Sequence, residues 1–460
     1  MQISPSIFRE YDIRGVADSD LADPAVEAVG KAFGTWLRRR GVTKISVGGD
    51  ARLSTARIEE AAVRGLRWAG VDTVLLGMVT TPMLYWSVPG LSLGGGLMIT
   101  GSHNPGDMNG LKLSLGTSTL YGDEIRELYR MIAEDDLEKG SVEGTVERAD
   151  ISRAYLEMLL SKIKLGPRRL KVVADSGNGT AGILIRPFLE ALGCDVISLF
   201  EEPDGTFPNH HPDPQKRENL EPLMERVVRE KADLGLAFDG DADRLGLVDD
   251  RGEMVWGDIL MALYWREILP KHPGDEAIVE VKCSQSLIDE IERLGGKPLF
   301  WKSGHSLIKA KMREIGAVFA GELSGHFFFA DEYYGFDDSF YAAGRLLRTL
   351  SNTGESLSRM LSSVPVYPST AEIRVDCPDE EKFARVDAIR DKALKDHKAV
   401  TVDGVRILYP EGWGLVRASN TQPVIVTRCE GRTEGALKEI SADVRARILA
   451  EGLPDFEWTY

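Results

Sequence analysis

Short apolar runs recur along the chain, each bounded by glycine, proline or charged residues, and between them lie stretches whose apolar positions return with helical spacing. Asp23-Pro24 reads as an N-cap followed by proline at the first helical position, and Gly41 closes that helix ahead of a strand, Lys44–Gly48. A helix from about Ala56 ends at Gly70, strand Asp72–Leu76 follows, and Gly94–Thr100 supplies the next strand. The polar stretch Glu134–Gly140 marks a boundary, after which strands Leu170–Ala174, Cys194–Phe200 and Ala232–Phe238 define a second unit. A third begins near Gly257, with strands Ala277–Val281, Pro298–Trp301 and Ala317–Ala320 and helix Tyr341–Leu350. After the Pro-containing stretch Val364–Ser369, strand Ala371–Val375, helix Asp379–Leu394, three further strands and helix Thr433–Ala450 predict a small α+β domain. Alternation of strand and helix makes the first three units α/β. The expected division is 1–148, 149–256, 257–366 and 367–460.

Composition narrows the functional classes. With 43% hydrophobic and 28% charged residues the chain is an ordinary globular sequence. The formal charge of -16 argues against nucleic acid and anionic membrane surfaces as partners. Four scattered cysteines without a CxxC pair suit a reducing cytoplasm, and neither a signal peptide nor a membrane-length apolar run is expected.

Strand Gly94–Thr100 runs straight into Gly101-Ser102-His103-Asn104-Pro105, which places a serine hydroxyl at a strand carboxyl end, where open α/β sheets gather chemistry. Gly101 is expected to take backbone angles other residues avoid, and Pro105 to stiffen the exit. Directly after strand Leu234–Phe238, Asp239-Gly240-Asp241-Ala242-Asp243-Arg244 sets three carboxylates at alternate positions in a turn, as a hard cation requires. An EF-hand does not fit, because Arg244 and Asp250 occupy the places of its glycine and its bidentate glutamate. The carboxylates, a Mg²⁺ and Arg244 together are neutral, so a phosphoryl oxygen can complete the shell. Gly321-Glu322-Leu323-Ser324-Gly325-His326 offers a carboxylate and a hydroxyl for vicinal sugar hydroxyls, and Arg417-Ala418-Ser419-Asn420-Thr421-Gln422-Pro423 offers a guanidinium, hydroxyls and amides for a phosphate. A competing pattern, Gly177–Gly182, has dinucleotide-binding spacing with Glu201 and Glu202 about twenty residues on, and supports an NAD-dependent oxidoreductase as the alternative from another class.

These segments, with Phe8-Arg9-Glu10-Tyr11-Asp12-Ile13-Arg14-Gly15 and Asp204–Pro212, resemble the α-D-phosphohexomutases, and among them the bacterial phosphomannomutase/phosphoglucomutase branch, over essentially the whole chain. The resemblance implies a heart-shaped protein of three similar α/β domains and a C-terminal α+β domain around a central cleft. It implies that Ser102 carries a phosphoryl group and, with Asp239, Asp241 and Asp243, surrounds Mg²⁺. Glu322 and Ser324 would read sugar hydroxyls, while Arg417, Ser419, Asn420 and Thr421 would hold the substrate's far phosphate. Ala242 stands where many members have glycine, which is tolerable if its φ is negative, and Gly49 stands where an arginine is common, leaving open whether Arg52 touches phosphate. His326-Phe327-Phe328-Phe329, Tyr334–Asp338 and Asn420 favour the mannose and glucose enzymes over the phosphoglucosamine mutases, which remain the nearer alternative.

The implied reaction passes a phosphoryl group from Ser102 to a hexose phosphate, giving a bisphosphorylated hexose that reorients and returns its other phosphate. Such a bisphosphorylated hexose, glucose 1,6-bisphosphate for example, would also be the activator. Arg244 is expected to stabilise the transferring oxygens, and Lys112, His326, Arg14 and His305 are the proton-transfer candidates. A bland reading of Lys112 is a surface amine beside a strand, and His305 suits a helix cap or a phosphate contact better than proton transfer. Lys282 and Tyr11 are expected at the substrate, whereas His103, His210 and His211 shape turns. Hexose phosphates are the expected partners, with a monomer favoured and a dimer left open.

Overall fold

A computed structural model describes residues 3–420 and 422–459. They form two compact units, Met1–Gly257 with Ser324–Met360, and Asp258–Leu323 with Leu361–Tyr460.

The first unit opens with β1 (Ile13–Val16), β2 (Lys44–Gly49), β3 (Asp72–Met78), β4 (Gly95–Ile99), β5 (Met108–Leu115), β6 (Ser118–Thr119) and β7 (Val146–Arg148). The sheet order is β1-β5-β4-β2-β3-β7, with β6 on β5. Strands β4, β2, β3 and β7 run parallel, and β5 is antiparallel to both β4 and β1. Ile45, Val47, Leu97, Ile99, Leu111 and Leu113 are buried in its core, each worth about 1.5–3 kcal/mol of transfer free energy. Because β2 and β4 are parallel neighbours, Asp50 and Thr100–Ser102 emerge at the same edge.

A second sheet holds β8 (Lys171–Asp175), β9 (Asp195–Leu199), β10 (Leu234–Phe238), β11 (Leu245–Val248) and β12 (Met254–Val255) in the order β12-β11-β10-β8-β9. Phe238 pairs with Leu245 across the antiparallel β10–β11 hairpin, so residues 239–244 are expelled as its loop. The chain then enters the second unit with β13 (Glu276–Glu280), β14 (Lys297–Trp301) and β15 (Phe319–Gly321), where β13 is the parallel centre between the other two. It returns to the first unit with β16 (Phe327–Phe329) and helix Ser339–Ser351. It ends in the second with β17 (Ile373–Asp376), β18 (Lys398–Val400), β19 (Val405–Tyr409), β20 (Gly412–Ala418) and β21 (Val424–Gly431), ordered β17-β21-β20-β19-β18. This last sheet is antiparallel throughout and carries the helices Lys382–Ala393 and Glu434–Ala450.

Two local expectations are corrected. Asp23 is the first residue of its helix, and Ala22 takes the cap position. Gly101 does not have a positive φ; Ser102 does, at 49°. Gly177–Gly182 opens a short 3-10 turn, Thr180–Ile183, ahead of a seven-residue helix, Ile185–Ala191. The four cysteines are free and buried, and no helix among the described residues is long and apolar enough to cross a membrane.

Candidate active site

In the first unit, Ser102 sits past the end of β4 with 3% of its surface exposed. Its Oγ donates to Asp239 Oδ2 at 2.8 Å and lies 3.0 Å from His103 Nδ1. The turn is held on both sides: Thr100 Oγ1 accepts from the Ser102 amide, and Asp50 accepts from the Gly101 amide. Burial, then the cations Arg244 and Arg14, push the His103 imidazole well below its ordinary value, toward the neutral form. Arg14, on β1, donates to the Asn104 side chain at 3.0 Å and pairs with Asp12. Tyr11 stands half-buried two residues before β1.

Asp239, Asp241 and Asp243 are buried, and one oxygen of each lies within 4.8 Å of the others. The Asp239 Oδ1 atom accepts from the Asp243 and Arg244 amides, which curls the loop inward. Thr81 donates to Asp241 Oδ2 at 2.6 Å. Lys112, which the pleat of β5 directs to the same place, donates to Asp241 Oδ2 at 2.7 Å and Asp243 Oδ2 at 2.5 Å. Far from being a surface amine, it is 4% exposed. Burial by itself would lower its affinity for a proton, but Asp241 and Asp243 outweigh that and hold it well above the ordinary lysine value.

The donor set fits a hard divalent cation. Oδ1 of Asp241 and Oδ1 of Asp243 are buried without a hydrogen-bond partner, an expensive state unless a cation engages them. Burial, with Asp243 and Asp241 alongside, drives the Asp239 carboxyl well above its ordinary value, as expected where positive charge is wanting. Arg244 Nε donates to His326 Nε2 at 3.0 Å, and His326 Nδ1 lies 3.1 Å from Asp337 Oδ2. Asp243, His326 and Asp337 are close enough to hold an ion themselves, yet the ring's two nitrogens already face Arg244 and Asp337, so this group reads as the mounting of Arg244.

The second unit gathers another cluster at the carboxyl ends of β13 and β15. Glu322 Oε1 accepts from the Gly304 amide at 2.7 Å, so the carboxylate read as a sugar ligand also shapes the loop before His305. His305 is the first residue of its helix, with Gly304 at the cap position and no side-chain capping bond. Glu280 accepts from Ser303 Oγ at 2.5 Å and the Leu323 amide at 3.0 Å, and lies 3.2 Å from Lys282 Nζ. Burial would discharge Lys282, but Glu280 and Glu372 more than offset it and raise its proton affinity. Arg417 Nε donates to Asp403 at 2.9 Å, and the same carboxylate oxygen accepts from the Ser303 amide. The turn after β20 bonds to itself through the amides of Ser419, to Val424 O, of Gln422, to Ser419 Oγ, and of Val424, to Gln422 O. Arg417 itself is 6% exposed. Asn420 is half-buried, and Thr421 lies outside the described residues. Ser324, also half-buried, belongs to the first unit.

Four family models match in succession. They are phosphoglucomutase/phosphomannomutase alpha/beta/alpha domain I at 5–139, domain II at 153–252, domain III at 256–367 and the C-terminal domain at 372–447. The chain belongs to the phosphoglucomutase/phosphomannomutase family. It is 45% identical over 445 residues to a phosphomannomutase/phosphoglucomutase of Pseudomonas putida, covering 96% of each chain. It is 40% identical over 461 residues to a phosphoglucomutase of Neisseria gonorrhoeae, covering 99% of each. Among solved structures, a phosphoglucomutase/phosphomannomutase family protein from Burkholderia thailandensis superposes with a TM-score of 0.93 at 41% identity, covering all of both chains.

Membership of the phosphoglucomutase/phosphomannomutase family makes the local departures informative. Ala242 has φ of 58°, not the negative angle that would make its methyl harmless. The loop tolerates it because its ends are fixed, by Ala242 N to Asp239 O and Ser339 Oγ to Ala242 O. At Gly240 a Cβ would lie 2.4 Å from Ser102 O, so only glycine lets the metal loop approach the serine. The dinucleotide pattern binds no pyrophosphate, since the amides of Gly177, Asn178, Gly179 and Thr180 go to Asp175, Phe200, Ser176 and Gly240. Sequence reasoning missed Asp337, Glu280 and Asp403. A signal existed in each: a carboxylate within the Tyr334–Asp338 run, which was read only as a branch marker, one at the end of an apolar strand, and one in an Asp-Gly turn.

Proposed function

We propose that this protein interconverts hexose 1-phosphate and hexose 6-phosphate, with mannose or glucose as the sugar, through a phosphoserine at position 102 and a bisphosphorylated hexose. The observation that carries the reading is a buried serine hydroxyl bonded to Asp239 within a carboxylate triad that also holds Lys112. In each half-reaction the bond from phosphorus to one oxygen breaks and that to the other forms. The attacking hydroxyl loses its proton, and the departing oxygen gains one. Such transfer depends on positioning and charge neutralisation more than on covalent chemistry by the protein.

Asp239, Asp241 and Asp243, with the oxygens at Ser102, would hold Mg²⁺, which when bound supplies positive charge to the transferring oxygens. Lys112 adds fixed charge and, kept protonated by two carboxylates, suits the acid. His326 Nε2 accepts from Arg244 and serves as the base once Arg244 has turned to the phosphoryl oxygens and freed that nitrogen. Arg244 and Arg14 steady the phosphoryl oxygens. Glu322 and Ser324 take the sugar hydroxyls, and Lys282, His305, Arg417, Ser419, Asn420 and Thr421 take the phosphate that is not transferred, with Tyr11 against the sugar. A bisphosphorylated hexose recharges an unphosphorylated Ser102. The reading includes the four-domain division 1–148, 149–256, 257–366 and 367–460, a monomer, and a cytoplasmic setting that suits four free cysteines.

A coupled assay with glucose 1-phosphate, mannose 1-phosphate and glucosamine 1-phosphate, Mg²⁺ and a trace of bisphosphorylated hexose tests this. Turnover of the first two, abolished in Ser102→Ala, is expected; turnover of glucosamine 1-phosphate alone, or full activity in Ser102→Ala, refutes it.

A further inference from the structure

Ser102 adopts a left-handed backbone conformation that an L-residue holds only when its surroundings over-determine it. What holds it is Arg52, whose side chain is wholly buried. A guanidinium has five N–H donors, and all five are used. Nη2 donates to Ser102 O at 2.9 Å and Asn104 O at 2.6 Å. Nη1 donates to Pro105 O at 2.5 Å and Met108 O at 2.8 Å. Nε donates to Asp50 Oδ2 at 3.2 Å, the oxygen that also accepts from the Gly101 amide. Two remaining carbonyls of the turn are taken elsewhere. His211 Nε2 engages His103 O, and the Asn104 amide engages Gly101 O. The guanidinium lies flat beneath the turn, since a Cβ on Gly101 would sit 2.5 Å from its Cζ and Nε. Phe207 closes the other side, its ring centroid 5.3 Å from Cζ.

The consequence is electrostatic. Each carbonyl oxygen from residue 101 to 105 accepts a hydrogen bond, those of 102 to 105 from the Arg52 and His211 side chains outside the turn and that of Gly101 from the Asn104 amide within it, so the negative end of each is pinned by a partner. A dianionic phosphoryl group on Ser102 is repelled by any carbonyl that swings toward it. With no donor left over, Arg52 has nothing to offer the phosphate directly, which answers the question that Gly49 raised. We infer that Arg52 is a positioning residue for phosphoryl transfer: it fixes Ser102 in its left-handed conformation and holds the loop carbonyls away from the phosphoryl anion. The inference rests on the phosphomutase reading for its kinetic consequence, but the clamp stands on geometry alone.

Two variants test it. Arg52→Lys keeps a charge but loses the planar fork, and His211→Leu frees only the His103 carbonyl. In Arg52→Lys, hydrogen exchange at the Asn104 and Met108 amides should accelerate at least tenfold relative to amides in β2. On active-site-titrated enzyme kcat should fall about 100-fold, the cost of a roughly 1 Å misplacement, with KM for the hexose phosphate unchanged within about twofold. His211→Leu should show the same split, about tenfold in kcat. A purely structural role predicts a lower melting temperature with unchanged kcat per folded molecule, and that result would overturn the inference. Unchanged exchange at Asn104 and Met108 in Arg52→Lys would overturn it equally. If wild-type protein turns over no hexose phosphate, the functional reading fails while the exchange measurement still decides the clamp.

Discussion

Replacing Lys112 by methionine removes the cation between two buried carboxylates while keeping the length of the apolar stem. The ammonium lies 2.7 Å from Asp241 and 2.5 Å from Asp243, and all three side chains are 4% exposed or less. Removing one member of such a buried set costs about 3–5 kcal/mol, because the remaining charge is left uncompensated. The unit containing it has roughly 290 residues, so at about 2.1 cal/mol/K per residue the transition should fall by about 5–8 °C. Metal narrows the gap. Mg²⁺ at about 100 times its dissociation constant stabilises by about 2.7 kcal/mol, and the variant, with its carboxylates uncovered, should bind the ion more tightly than the parent. Scanning calorimetry of EDTA-treated protein, repeated with Mg²⁺, reads both effects. Metal-free Lys112→Met melting within about 1 °C of the parent, or gaining no more than the parent from Mg²⁺, would refute the reasoning.

Gly101→Ala should be strongly destabilising and slow, since its methyl meets a guanidinium pinned by five bonds; about 2–4 kcal/mol in urea midpoints is expected, and a neutral result would show that Arg52 can move. Ser102→Ala should lose at least about 10³-fold in turnover, and intact mass should detect a phosphate on the parent but not on the variant. His210 provides a pH test. Burial would lower its affinity for a proton, but its hydrogen bond and charge contact with Asp175 outweigh that and raise it above the ordinary value. A raised folded value means the contribution is complete below the unfolded pKa of about 6.5 and is lost as pH rises through the folded one. Urea midpoints from about pH 6 upward should therefore fall more steeply in the parent than in His210→Asn, and parallel profiles would remove the Asp175 pair from the account.

The order of strands and helices, and the position of each reactive loop at a strand end, were legible because their causes are local. Apolar runs, helical spacing and Gly or Pro punctuation act over a few residues, so β4 into Ser102 and β10 into Asp239–Arg244 could be read directly. What escaped was set by partners distant in the chain. Lys112 reads as a surface amine until β5 is paired antiparallel with β4 and its side chain meets carboxylates 129 and 131 residues away. Ser102 carries the positive φ expected of Gly101 because Arg52, 50 residues earlier, grips its carbonyl, while Gly101 is needed only to let that guanidinium lie close. Ala242 keeps an angle that suits glycine because Ser339, 97 residues later, holds its carbonyl. Sequence by itself therefore determined which chemical groups the protein carries and on which loops. Tertiary structure alone decided their charge, backbone strain and orientation, since these depend on burial and on hydrogen-bond partners that only folding brings within reach.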